Sequence, residues 1–310
     1  MIVRKLYEKA LVGKMPEWLP ENSVYETVMG SQAYGTSMGD KSDFDIYCVY
    51  LPPKTKMFPH LEGKVWGFDI YNEMQTFQWH HLTVENENFD LSCYPITTYF
   101  RLAMECNPNI IESLFTTYDC VRKATQGIGV IMRDNRNLFL SKLAYSKFRG
   151  FALSQLGKVR TTKGDKVSLL SYYRNVDKSK LTTKRKELAE FGVDWKFMYH
   201  ACRMLLELED ILETGTMNLR KHSEYLKLIR RGTYTLEYIL EWFADKEVYL
   251  EKLYNESNLQ KTPDNVKIRE LLINCLESHY GDLGNVVYKT SNSLENFTIE
   301  LKELMEKYNL

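Results

Sequence analysis

Asp43 and Asp45 stand one residue apart at the head of a run, Ile46 to Leu51, that reads as a buried strand. Residues i and i+2 of a strand share a face, so both carboxylates point the same way while Phe44 and Ile46 point to the other side. Two adjacent carboxylates resist joint ionisation. A hard divalent cation resolves the conflict, and Mg²⁺ is often held by one or two carboxylates together with substrate phosphates. Just upstream lie Gly30, Ser31 and Gly35. Glycines let backbone amides approach an anion, and a serine adds a hydroxyl donor. A phosphate cradle followed directly by a metal-binding strand points to metal-assisted attack on a nucleoside triphosphate. A lone D-x-D or a lone G-S is commonplace in turns and strand ends. The joint pattern G-S-x(3)-G-x(6)-S-D-x-D over residues 30–45 is far more specific.

A second constellation is Lys196, His200 and Arg203. Spacings of four and three place them on one helix face. Arg offers a fork for phosphate oxygens and Lys a point charge. Phe197, Ala201, Met204 and Leu205 supply a separate apolar stripe, and Asp194 is a candidate N-cap. The competing reading is a solvated cationic face with a partly buried histidine. Arg230 is a further candidate for the same phosphates. Tyr34 stacks on a base or simply packs, and His80-His81 lacks any partner at zinc-ligand spacing.

The elements that must carry these residues change character near residue 135. Before it, segments 23–30, 43–51, 64–71 and 88–96 read as strands, with a helix over 96–106 and an Asn-Pro-Asn turn at 107–109. After it the periodicity is helical, over about 137–157, 194–214, 223–230, 235–256, 265–279 and 293–308. The expected architecture is α+β, with a small mixed sheet over 1–135 and a mainly helical domain over 136–310. Between the first two helices, residues 158–188 hold ten Lys or Arg against Asp165, Asp177 and Glu187. Tyr172 and Tyr173 lie within that basic segment, a composition suited to single-stranded RNA. A solvated linker is the alternative.

The whole chain limits the options. It has 310 residues, 44% hydrophobic and 26% charged, with 41 Lys plus Arg against 41 Asp plus Glu. Net charge therefore argues neither for nor against nucleic acid. No apolar stretch suits a membrane span, and the first residues resemble a short helix rather than a secretory leader. Six cysteines without a C-x-x-C pair suggest buried, reduced thiols and a cytoplasmic setting.

The stretch GSQAYGTS…SDFDIYCVYLPP resembles the signature of the DNA polymerase beta nucleotidyltransferase superfamily. More narrowly it resembles predicted nucleotidyltransferases associated with RNA repair and common in phages. NPNIIESLF (107–115), the D-x-K-x(3)-H-x(2)-R-x-L pattern with its following L-x-T-G (192–219), and the I-R-x-G segment (225–239) resemble further blocks of that family. The likeness runs over about 24–255, with Lys41 a departure in the turn before Asp43. It implies a nucleotidyltransferase fold with three carboxylates and two Mg²⁺ ions, or Mn²⁺ in their place. Asp43 and Asp45 are two of the carboxylates. Asp90 is the preferred third over Asp69, because the family's acidic strand leads straight into the N-P-N helix. Glu112 of that block reads as a helix-start or interdomain contact. The implied reaction moves a nucleoside monophosphate from an NTP to an acceptor hydroxyl, an RNA or tRNA 3′ end, with loss of pyrophosphate. Nucleotidylation of a protein or small molecule is the runner-up, and an RNA-binding protein without turnover a third reading. Residue identity leaves the oligomeric state open.

Overall fold

All six residues of strand β1, Ser23–Val28, are buried, including Glu26 and Thr27. A strand buried on both faces must lie inside a sheet, and β1 does. In the computed structural model, which describes residues 1–39, 43–65, 74–160, 167–287, Met305 and Tyr308, five strands pair in the order β3-β4-β2-β1-β5. They are β2 Phe44–Tyr50, β3 Phe77–Val84, β4 Glu87–Pro95 and β5 Val121–Ala124 beside β1. Strands β2 and β4 are parallel, and every other pair is antiparallel. The buried Glu26 carboxylate accepts from the Ile2 amide at 2.8 Å and the Ser23 hydroxyl at 2.9 Å, anchoring the N-terminal helix.

Two strands were not legible from composition. In β3 the register shifts between Trp79 and Leu82, and His81 takes φ 56°. This bulge breaks the period of two on which a strand reading depends. β5 has only four residues, too few for a pattern. Most of the strand expected over 64–71 lies outside the described residues, as do Lys41, Asp69, residues 161–166 and nearly all of 293–308. The helix expected from 137 begins at Leu143, because Leu140 is extended and Ser141 Oγ accepts from the Leu143 amide at 3.3 Å.

The helix Trp195–Thr214 is the spine of the second half. Asp194 caps it, accepting from the Lys196 amide at 2.9 Å, and Gly215 ends it at φ +67°. It packs against Leu143–Leu156, Ser223–Arg230 and Leu236–Glu256. The helix Asn265–Tyr280 returns to the sheet side, where the Tyr280 hydroxyl donates to the Pro52 carbonyl at 2.6 Å. All six cysteines are free and buried.

Candidate active site

Parallel pairing of β2 with β4 sets Asp45 directly opposite Asp90, with Phe44 stacked on Phe89 at 5.2 Å. The two carboxylates therefore leave the sheet on one face. Asp43 precedes β2 and is exposed. Burial first, then Asp90 and Asp43, push the Asp45 carboxyl above its ordinary range, while Lys196 and His80 pull the other way. This is the crowding of acids that a bound cation relieves. Burial also pushes Asp90 up. The His81 amide at 2.7 Å and the His80 imidazole at 3.3 Å outweigh it and hold Asp90 below the usual range. The β3 bulge thus has a purpose at the site: it aims the His81 amide at Asp90. Sequence alone gave His80-His81 no role.

Gly30 starts the short helix Gly30–Ala33 at φ +68°, and a Cβ there would overlap the Asp45 carboxylate. Only glycine lets the loop close onto Asp45. The Met29 amide donates to the Asp45 carbonyl at 2.7 Å, locking loop to strand. Ser31 is half-buried in the same turn, and its carbonyl accepts from the Thr36 amide at 2.8 Å.

The helical half clamps this loop. Arg220 donates to the carbonyls of Gln32 and Ala33 at 3.1 and 3.3 Å. Gly35, at φ +64°, lies against Arg220 and Ser223. Arg230 donates to the Thr36 carbonyl at 3.0 Å, and the Thr36 and Tyr199 hydroxyls lie 2.9 Å apart. Arg230 therefore meets the loop's backbone from behind.

A cleft of about 380 Å³ lies between the halves, lined by Gly30, Asp45, Tyr47, Lys158, Lys196 and His200 among others. Phe151, Gln155, Phe197 and Asn109 also line it. The cationic helix face is real, but it plunges inward. Lys196 is exposed, His200 half-buried and Arg203 only 3% exposed. Arg203 reaches the cleft wall with its charge already engaged. It is paired with Glu112 and, at 2.9 Å, with Glu207, and it lies 3.8 Å over the Tyr34 ring. Tyr34 donates to Glu112 at 2.5 Å. Tyr34 is thus packed rather than free to stack on a base, and Glu112 joins its helix to the Trp195–Thr214 helix through Arg203.

His200 is no cation at neutral pH. Burial, then Arg203, Lys196 and other cations, lower its pKa to about 3. The linkage sign follows: below about 6.5 the unfolded chain gains a proton that folded His200 refuses. Stability contributed by neutral His200 is therefore present above pH 6.5 and lost as pH falls toward 3. His200→Asn is expected to flatten the loss of stability between pH 7 and pH 5, read from denaturant midpoints. An unchanged slope would place the proton uptake elsewhere.

Lys158, Gln155 and Asn109 were not singled out as site residues by sequence. Lys158 opens the basic segment, which was a usable signal; Gln155 has none. In that segment the stacking expectation for Tyr173 is corrected. The residue is 1% exposed, packs on Phe243 and donates to Glu247 at 2.6 Å.

Among the described residues no three His, Cys, Asp or Glu side chains converge closely enough to hold an ion by themselves. The donors at Asp43, Asp45 and Asp90 nevertheless suit Mg²⁺ chemically, since it commonly completes its shell with substrate phosphates. No described helix is long and apolar enough to cross a membrane.

No curated protein matches the chain. A solved nucleotidyltransferase-like protein from Exiguobacterium sibiricum aligns over 99% of this chain and 89% of its own, at 10% identity and a TM-score of 0.28. Residues 17–255, most of the chain, match the RNA repair pathway DNA polymerase beta family. With that match and a cleft lined by Gly30 of the G-S loop and by Asp45, the chain belongs to this family and is a nucleotidyltransferase of the polymerase beta superfamily.

Proposed function

We propose that the protein moves a nucleoside monophosphate from an NTP to the 3′ hydroxyl of an RNA, releasing pyrophosphate. The observation that carries this reading is Asp45, with Asp90 in register beside it, sharing a cleft with Lys196 and Lys158. Asp45 at one wall and lysines at another suit a magnesium triphosphate. Asp43, Asp45 and Asp90 would hold Mg²⁺, which lowers the pKa of the acceptor hydroxyl and offsets charge on the departing pyrophosphate. The chain's own groups do the rest. Lys196 and Lys158 take the outer phosphate oxygens. The Gly30 turn, clamped from behind by Arg220 and Arg230, keeps its place as they bind. Asp90, steadied by the His81 amide, is placed to accept the hydroxyl proton. Phe151 and Phe197 offer apolar faces to the base, and the Gln155 amide can pair with its edge. Reduced cysteines accord with a cytoplasmic enzyme.

Lys196→Ala is expected to weaken NTP binding by about 1.5 kcal/mol, the lower end for a hydrogen bond to a charged group, because Lys196 is exposed. Equilibrium binding with Mg²⁺ reads this directly, and an unchanged affinity would remove Lys196 from the phosphate site. The reading as a whole is tested by supplying each labelled NTP with Mg²⁺ and total RNA. Label in RNA with pyrophosphate release is expected. Label on the protein itself would identify a different acceptor.

A further inference from the structure

Strand β3 lies at one edge of the sheet and runs antiparallel to β4, with Trp79 opposite Leu91 and Leu82 opposite Phe89. Two residues, His80 and His81, therefore face the single residue Asp90 between those pairs. That is a bulge, a device that re-aims groups beside active sites. It puts His81 at φ 56°, a left-handed conformation that residues other than glycine rarely adopt. In return, each oxygen of Asp90 meets a group of β3. The His81 amide donates to Oδ1 at 2.7 Å, and His80 Nδ1 lies 3.3 Å from Oδ2. An ionised carboxylate only accepts, so the ring nitrogen facing it is the protonated one.

Stability does not account for the His80–Asp90 contact. The two side chains are 55% and 31% exposed, and ion pairs this open contribute little. His81 is exposed as well, so its unusual backbone adds nothing to the core. What the arrangement does fix is the direction of a carboxylate. A single donor leaves Asp90 free to turn about its Cβ–Cγ bond, whereas a partner at each oxygen holds the plane. Each oxygen keeps a further lone pair, and Asp90 stands in register with Asp45 on one face of the sheet.

We propose that His80 and His81 are positioning residues for nucleotidyl transfer. From the bulge they hold both oxygens of Asp90, so that Asp90 and Asp45 present their remaining lone pairs together to a divalent cation. Groups that hold a ligating carboxylate typically change metal affinity or activity by about 10- to 100-fold when lost. The inference rests on the reading of Asp45 and Asp90 as cation ligands and adds what orients one of them.

The test is Mn²⁺ binding to the full chain with a non-hydrolysable NTP analogue. It is read by electron paramagnetic resonance, with the metal held by the analogue alone subtracted, beside kcat, KM for NTP and a thermal melt. His80→Ala is expected to weaken Mn²⁺ binding at least about tenfold and to lower kcat, with KM for NTP and the melting midpoint unchanged. His80→Asn, whose amide N–H stands in for Nδ1–H, is expected to recover most of the loss. At residue 81 the backbone is the working part. His81→Gly keeps the left-handed turn and is expected to match wild type. His81→Val, β-branched and disfavoured at positive φ, is expected to lose metal affinity as His80→Ala does. Unchanged Mn²⁺ affinity in His80→Ala or in His81→Val overturns the proposal. So does asparagine no better than alanine at residue 80, or a melting midpoint of His80→Ala that falls in step with its affinity. If Asp90→Asn loses Mn²⁺ while His80→Ala and His81→Val keep it, the cation reading stands and the positioning role falls. A wild type that holds no Mn²⁺ beyond the analogue's own overturns the cation reading and this proposal with it.

Discussion

Asp45→Asn is expected to reduce nucleotidyl transfer by about three orders of magnitude or more while leaving the fold intact. The rate effect follows from the metal's contribution, several kcal/mol of charge stabilisation, at about tenfold per 1.4 kcal/mol. An amide is a poor Mg²⁺ ligand. The stability effect has the opposite sign. Asp45 is pushed up by burial, Asp90 and Asp43, so its charged form is disfavoured in the folded chain at neutral pH. Removing that charge is expected to raise the unfolding midpoint at pH 7. The gain should shrink as pH falls through the raised pKa, where Asp45 is protonated in any case. Asparagine has nearly the same shape, so it keeps the close fit against Gly30. Asp90→Asn is expected to cost activity comparably but without the stability gain, because Asp90 sits below the usual range. Turnover assays with pyrophosphate release and thermal melts at two pH values check both halves. Near-normal turnover in Asp45→Asn would end the metal reading.

Arg203→Ala is expected to destabilise the protein by about 3–5 kcal/mol, the range for breaking a buried ion pair from one side. Glu112 is fully buried, and Glu207 is only 4% exposed with its carboxyl pushed well up by burial. Removing the guanidinium leaves the buried Glu112 and Glu207 carboxyls without their cationic partner and strips the cover from the Tyr34 ring. Since Tyr34 belongs to the G-S loop and Glu112 to the N-P-N helix, three separated motifs lose their meeting point. Pairing Arg203→Met with Glu112→Gln is expected to recover part of the loss, because of the buried trio only Glu207 then remains, and burial already pushes its carboxyl well up. Denaturant titration of single and double variants measures the coupling. A loss under about 1 kcal/mol in Arg203→Ala would mean that the cluster does not hold the halves together.

The sequence by itself determined the family and offered the candidate residues of the site in their order. A glycine before a D-x-D strand, the N-P-N block and a helix with Lys, His and Arg at spacings four and three are local patterns. Local patterns survive without coordinates because strand alternation and helical period are fixed by the backbone. The preference for Asp90 came from its place before the N-P-N helix, and the parallel pairing gives it a physical form beside Asp45. What only the tertiary structure decided is what each charge faces. Lys196 and Arg203 are alike in sequence, yet one opens to the cleft and the other is closed between two glutamates. His200 counted as a cation until burial among Arg203 and Lys196 made it neutral. The His80-His81 bulge broke the period that would have marked β3, and the same bulge supplies the amide on Asp90. Burial and charge pairing depend on residues far apart in the chain, and no spacing within one segment encodes them.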